Sequence, residues 1–162
     1  MTLPAAVCTV ELGACDTNPC CPYCAQCHGL CEPTTLSAEI TSAEAWADMM
    51  PGGPRTVVGR IELLLLNGGV YPVTDVEILK GRIIVADTGI QLAGVIWGAE
   101  TPFSGSVAPG GSATVSLRGN NTLAADEDVP CGDLVTLWAE VQHFAGARIE
   151  VTSKPVKLGC AY

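Results

Sequence analysis

Between residues 57 and 65 the chain alternates with a period of two. Val57, Gly59, Ile61, Leu63 and Leu65 share one parity, while Arg60 and Glu62 fall on the other. That is the signature of a strand with one face buried, and the turn formers "NGG" at 67–69 end it. "PVTDVEIL" and "GRIIVAD" read as two further strands, with Lys80–Gly81 as the turn between them. "IQLAGVIW" at 90–97 follows. "VAPGGSATVSL" then supplies a Pro-Gly-Gly turn and a strand with Ala113, Val115 and Leu117 on one side.

A hairpin is expected from "DLVTLWAEVQHFAGARIEVTS". Val135, Leu137, Ala139 and Val141 alternate with Thr136, Trp138, Glu140 and Gln142. Ala145–Gly146 turns the chain, and Ala147, Ile149 and Val151 alternate with Arg148, Glu150 and Thr152. "KPVKLGC" is the last strand. One short helix is predicted in "TSAEAWADMMPGG", where Thr41 caps, Glu44 completes a capping box and Pro-Gly-Gly stops it.

About seven short strands separated by turns imply an antiparallel sandwich. The succession "GRIELLLLNGG", "PVTDVEI", "VAPGGSATVSL" and a final hairpin resembles immunoglobulin-like sandwiches of surface and virion proteins. The resemblance covers roughly residues 36–160 and implies an all-β fold of that type, in a sandwich domain spanning 36–162. It departs from antibody domains in lacking their Cys…Trp…Cys spacing: Cys131 precedes the last strands and Cys160 ends them. These two are expected to pair as a structural clip in an oxidising environment.

Residues 1–35 have no apolar periodicity and hold seven of the nine cysteines, at 8, 15, 20, 21, 24, 27 and 31. They read as an irregular arm stapled by disulfides or zinc. Four chemistries compete for "CCPYCAQCHGLC". Cys24, Cys27 and His28 match the C-x-x-C-H haem attachment motif, with Met49, Met50 or His143 as distal ligands. Cys21, Cys24, Cys27 and Cys31 match a bacterial ferredoxin spacing, without the second run a two-cluster protein needs and with Glu32 where proline is expected. The same four suit zinc, with Cys8, Cys15, Cys20 or His28 as substitutes. Disulfides are the fourth reading; nine cysteines leave an odd thiol. Zinc and disulfides are favoured over the redox centres, each of which lacks a part it needs.

The 162-residue chain is long enough to bury a core without such staples. A formal net charge of -9 disfavours nucleic-acid binding, which needs clustered Lys and Arg. The apolar run Leu63–Leu66 is far short of a membrane span. "MTLPAAVC" lacks a basic start and an apolar stretch, so synthesis without a signal peptide is expected.

No catalytic constellation emerges. His143 reads as a half-buried hairpin residue, "DED" at 126–128 as a solvated acidic turn, and "NNT" at 120–122 as a chance glycosylation sequon. Trp138 falls outward by parity, which suggests either a contact surface or a covering layer; Trp97 or Trp138 could serve a carbohydrate platform. The leading expectation is a non-enzymatic structural or interaction protein. It would be a virion component, such as a capsid decoration or tail protein, or another surface-assembly subunit that packs against copies of itself or a larger assembly. A small haem or iron–sulfur electron carrier is the alternative.

Overall fold

A computed structural model describes residues 36–124, 128–143 and 147–162. Among these residues it is all-β, with nine strands: β1 (Leu36–Asp48), β2 (Thr56–Asn67), β3 (Glu77–Val85), β4 (Gln91–Val95), β5 (Gly98–Ala99), β6 (Ser112–Thr122), β7 (Leu134–His143), β8 (Ala147–Thr152) and β9 (Val156–Ala161). They form one curled mixed sheet in the order β4-β3-β7-β9-β1-β2-β6-β5, with β8 paired to β7.

The alternation in β2 is realised as expected. Val57, Ile61, Leu63 and Leu65 are buried, and Arg60 and Glu62 are exposed. β1 and β6 flank β2 antiparallel over nearly its whole length. The curl brings this half of the sheet against the β3–β7 half. A Cβ on Gly59 of β2 would meet the side chains of Leu137 on β7 and Ile83 on β3. The core lies between the halves, filled by Ile61, Leu63, Leu65, Ile83, Leu117, Leu137 and Leu158.

Two crossings join the halves. At one side β8 leaves β7, and after Ser153 the chain continues as β9. Val156 and Lys157 still pair with Val135 and Leu134 of β7, while Leu158–Ala161 pair parallel with Ala45–Asp48 of β1. Ser153 fills the gap in the ladder. Its backbone N–H donates to the Leu137 carbonyl at 2.8 Å, and its hydroxyl accepts from the Leu137 N–H at 2.9 Å. At the other side Ile96 and Trp97 carry the chain from β4, beside β3, to β5, beside β6. The parallel β1–β9 pair makes the sheet mixed rather than purely antiparallel.

Two local expectations are corrected. Residues 41–48 are strand, not helix. Their Ala and Glu content favours a helix by only tenths of a kcal/mol per residue. Against that stand cross-strand pairing with β2 and β9 and the burial of Ala45 and Ala47. Pro-Gly-Gly remains a turn, with Gly52 at φ 84°, but it links two strands. Lys80–Gly81 is no turn either: β3 runs straight through it, with a bulge between Ile78 and Lys80.

Candidate functional site: the outer face of β3, β7 and β8

Parity places Lys80 and Arg82 of β3, Trp138 and Glu140 of β7, and Arg148 of β8 on the outer face. Gly81, Ile83, Leu137, Ala139 and Val141 point into the core. Register does the rest. Arg82 is paired with Trp138 and Lys80 with Glu140, while Arg148 lies opposite Gln142, beside Glu140.

The Arg82 guanidinium carbon sits 4.2 Å from the centroid of the Trp138 ring. A cation over an indole face at that distance is attracted by the ring quadrupole, worth about 0.5–2 kcal/mol depending on desolvation. Trp138 is thereby covered, with only 6% of its surface exposed. The outward parity expected from sequence holds, and the expected exposure does not: an arginine on the neighbouring strand supplies the cover.

Beside this stack, Glu140 is buried to 5% exposure although it points outward. Lys80 Nζ lies 3.8 Å from its Oε2, and Arg148 Nη1 lies 3.4 Å from its Oε1. Oε1 has no hydrogen-bond partner. The two cations therefore neutralise the carboxylate at a distance, and their own heads remain more than half exposed. Glu77, opposite Gln142, and Glu150, opposite Glu140, share this face by register, so the Arg82–Trp138 stack sits in a surface of mixed charge.

The opposite outer face repeats the pairing more loosely. Arg118 of β6 sits 5.5 Å from the Trp46 ring centroid. Arg60 donates from Nε to Glu100 Oε2 at 2.7 Å. Trp46 is half-buried and lies in the segment expected from sequence to be a helix.

The other candidate residues are dispersed. Trp97 is buried at 5% exposure and donates from Nε1 to the Trp138 carbonyl at 3.3 Å. With Trp138 covered as well, neither ring offers a sugar platform, which corrects that expectation. His143 is buried rather than half-buried; its Nδ1 lacks a partner, and burial pushes its pKa below the ordinary 6.5. Met49 and Met50 follow β1 at the end where β9 finishes, while His143 ends β7 away from its contact with β9. Each of these was an alternative distal ligand, and Cys24, Cys27 and His28, which any of them would face, lie outside the described residues. Cys131 and Cys160 are joined as a disulfide with Cα atoms 5.8 Å apart. Cys8, Cys15, Cys20, Cys21, Cys24, Cys27, His28 and Cys31 lie outside the described residues. Among the described residues, no group of three or more His, Cys, Asp or Glu gathers as a metal site, and no helix is long and apolar enough to cross a membrane.

No protein-family model matches the chain. No curated protein matches it either. Among solved structures it is similar to a structural-genomics target, SoR45, at 13% identity and a TM-score of 0.45, covering 76% of this chain and 86% of that one. It is also similar to two structures of the major pilin subunit of Bacillus cereus. These show 14% and 18% identity, TM-scores of 0.28 and 0.25, and coverage of 80% and 78% of this chain. The chain spans 41% and 40% of the length of those pilin chains.

Proposed function

We propose that this chain is a non-enzymatic structural subunit that binds copies of itself or a larger surface assembly, with a virion component such as a capsid decoration or tail protein as its specific role. The observation that carries this reading is the stack of Arg82 on Trp138 beside Lys80, Glu140 and Arg148. Tryptophan and arginine dominate the energetics of protein interfaces because both combine large contact area with directional polar groups. A curled sheet built mostly from non-local pairing holds these five residues on rigid strands, so little ordering entropy is lost when a partner docks.

The path of β1, against β2 on one side and β9 on the other, supports an immunoglobulin-like reading of the strands. Residues 1–35 act in this scheme as an arm held by disulfides or zinc. Light scattering across a concentration series is the test. Self-association that grows with concentration is the expected result. A protein that stays at the mass of one chain, 16.7 kDa, and is retained by no component of a purified assembly would sink the reading.

A further inference from the structure

We propose that β8 of one copy pairs antiparallel with β8 of a second copy, about a two-fold axis at Ile149, so that Arg148 of each lies opposite Glu150 of the other. The inference rests on the assembly reading above and names its interface. Three observations carry it.

The first is an open edge. Among the described residues β8 pairs with β7 alone, in a register that runs without a shift from Ala147 to Thr152. On its other side β1 approaches but does not pair with it. A cavity of about 180 Å³ lies between residues 39–43 of β1 and Ser153, Lys154 and Val156, which follow β8. Every second residue of an antiparallel strand turns its N–H and C=O away from the neighbour, so β8 presents backbone donors and acceptors on this side. Such edges are commonly blunted by a bulge, a proline or an inward-pointing charge. The strand ARIEVT has no bulge and no proline, and its charges, Arg148 and Glu150, point outward.

The second is the order of those charges. Arg148, Ile149 and Glu150 read as a charge palindrome. A two-fold at Ile149 sets Arg148 against Glu150 twice, Ile149 against Ile149 and Ala147 against Val151. Opposite charges directly across a strand pair stabilise it, and like charges destabilise it. A two-fold at Arg148 or at Glu150 would set like against like, and a slip of one residue would turn apolar side chains to the wrong face. One register is therefore selected. The other edges lack this property. β1 shifts register between Ile40 and Ser42 and carries acids without a base, and β4 carries no charged residue.

The third is the position of Glu150 in its own chain. It stands opposite Glu140, a like-charge pair. Lys80 and Arg148 both approach Glu140, at 3.8 and 3.4 Å, and among the described residues Glu150 has no ion pair. A second copy would bring its Arg148 to the free side of Glu150. The row across the joined sheet then reads Lys80, Glu140, Glu150 and Arg148 of the second copy, two acids flanked by a base at each end. Arg148 has donors for this, since its approach to Glu140 Oε1 makes no hydrogen bond and its side chain is 56% exposed.

The test reads the mass of the full chain by light scattering across a concentration series. Wild type is expected to rise from 16.7 kDa towards twice that mass, and less readily in high salt. Glu150→Arg and Arg148→Glu each set like charges across the axis and are expected to weaken self-association by roughly tenfold or more. Glu150→Arg also removes the repulsion from Glu140 within the chain, so it loses pairing without a threat to folding. The two single variants mixed together should associate, and Arg148→Glu/Glu150→Arg in one chain should associate as wild type does. Glu150→Arg that associates as tightly as wild type overturns the β8 pairing and leaves the assembly reading standing. Association lost in both single variants and regained in neither the mixture nor the double variant also overturns it. Wild type that stays at 16.7 kDa overturns it too. Retention of that monomer by a component of a purified assembly would then keep the assembly reading alone.

Discussion

Trp97 occupies the space that a side chain on Gly81 would need. A Cβ there would fall on the indole ring, and Cβ atoms on Gly59 and Gly119 would each come within 3.1 Å of the same ring. Three glycines from β2, β3 and β6 thus form a slot, and the indole that fills it belongs to the crossing between β4 and β5. The ring is fixed by the bond from Nε1 to the Trp138 carbonyl, so it reaches the backbone of the strand that carries the outer Arg82–Trp138 stack.

Gly81→Ala is therefore expected to destabilise the fold by about 3 kcal/mol or more, the upper part of the range for overpacking a rigid core. Trp97→Ala is expected to cost about 3–5 kcal/mol from the void it leaves. Urea denaturation measures both. The double variant should cost less than the sum, because the methyl and the indole compete for one volume. Strict additivity would show that the two do not meet.

Asn67 anchors the end of the molecule at which β1 begins. Its side-chain amide donates to the carbonyls of Tyr71, Val107 and Ala108 at 2.8, 3.1 and 3.2 Å, and its Oδ1 accepts from the Gly69 N–H at 2.9 Å. Asn67→Asp replaces the donor with a buried oxygen facing three carbonyls. A loss of roughly 3–5 kcal/mol is expected, since buried acceptors lose their partner and a charge loses solvation. Asn67→Ala should be milder. Limited proteolysis should then cut first within residues 68–76, where Val70 and Tyr71 are exposed. Cleavage unchanged from wild type would refute the anchoring role.

The Cys131–Cys160 bridge closes a loop with a sequence separation of 29. Loop-closure entropy puts its contribution at roughly 3–4 kcal/mol. Cys131→Ser/Cys160→Ser should lower the urea midpoint accordingly and lose the response of that midpoint to a reductant.

With that pair fixed, seven cysteines remain, all in residues 8–31. Structural zinc or disulfides there predict a colourless protein. A Soret band, or broad absorption near roughly 400 nm from thiolate-bound iron, would instead establish a redox centre. Metal analysis and non-reducing mass spectrometry then separate zinc from disulfides.

Where the sequence was legible, a single strand carried the information. The alternations from Val57 to Leu65 and from Val135 to Val141 report burial directly, because period two is a local property. The failures were non-local. Gly81 looks like a turn former until Trp97, sixteen residues on, is seen to need its missing side chain. Thr41 and Glu44 make a sound capping box, but β2 and β9 offer residues 45–48 partners on both sides, and pairing outweighs propensity. Trp138 was correctly placed outward, yet its cover depends on Arg82 standing opposite in register. The cation group of the outer face had the same origin: Lys80 and Arg148 lie 68 positions apart and meet only through Glu140.

His143 offers the last test, through pH. The ring is buried, its Nδ1 has no partner, and burial lowers its pKa from the ordinary 6.5. The unfolded chain takes up a proton at this residue near pH 6.5, whereas the folded chain takes it up only at lower pH. Between those two pKa values the unfolded state binds more protons, so stability falls as pH drops through that window and is flat above it. Each unit of the window costs at most about 1.4 kcal/mol. Urea midpoints taken from about pH 5 to about pH 8 should decline on the acid side in wild type. His143→Gln removes the titrating group while keeping a similar volume, and it should decline less. His28 is common to both proteins, so it cancels from the comparison. Parallel curves for the two would show that His143 is not the source of the acid sensitivity.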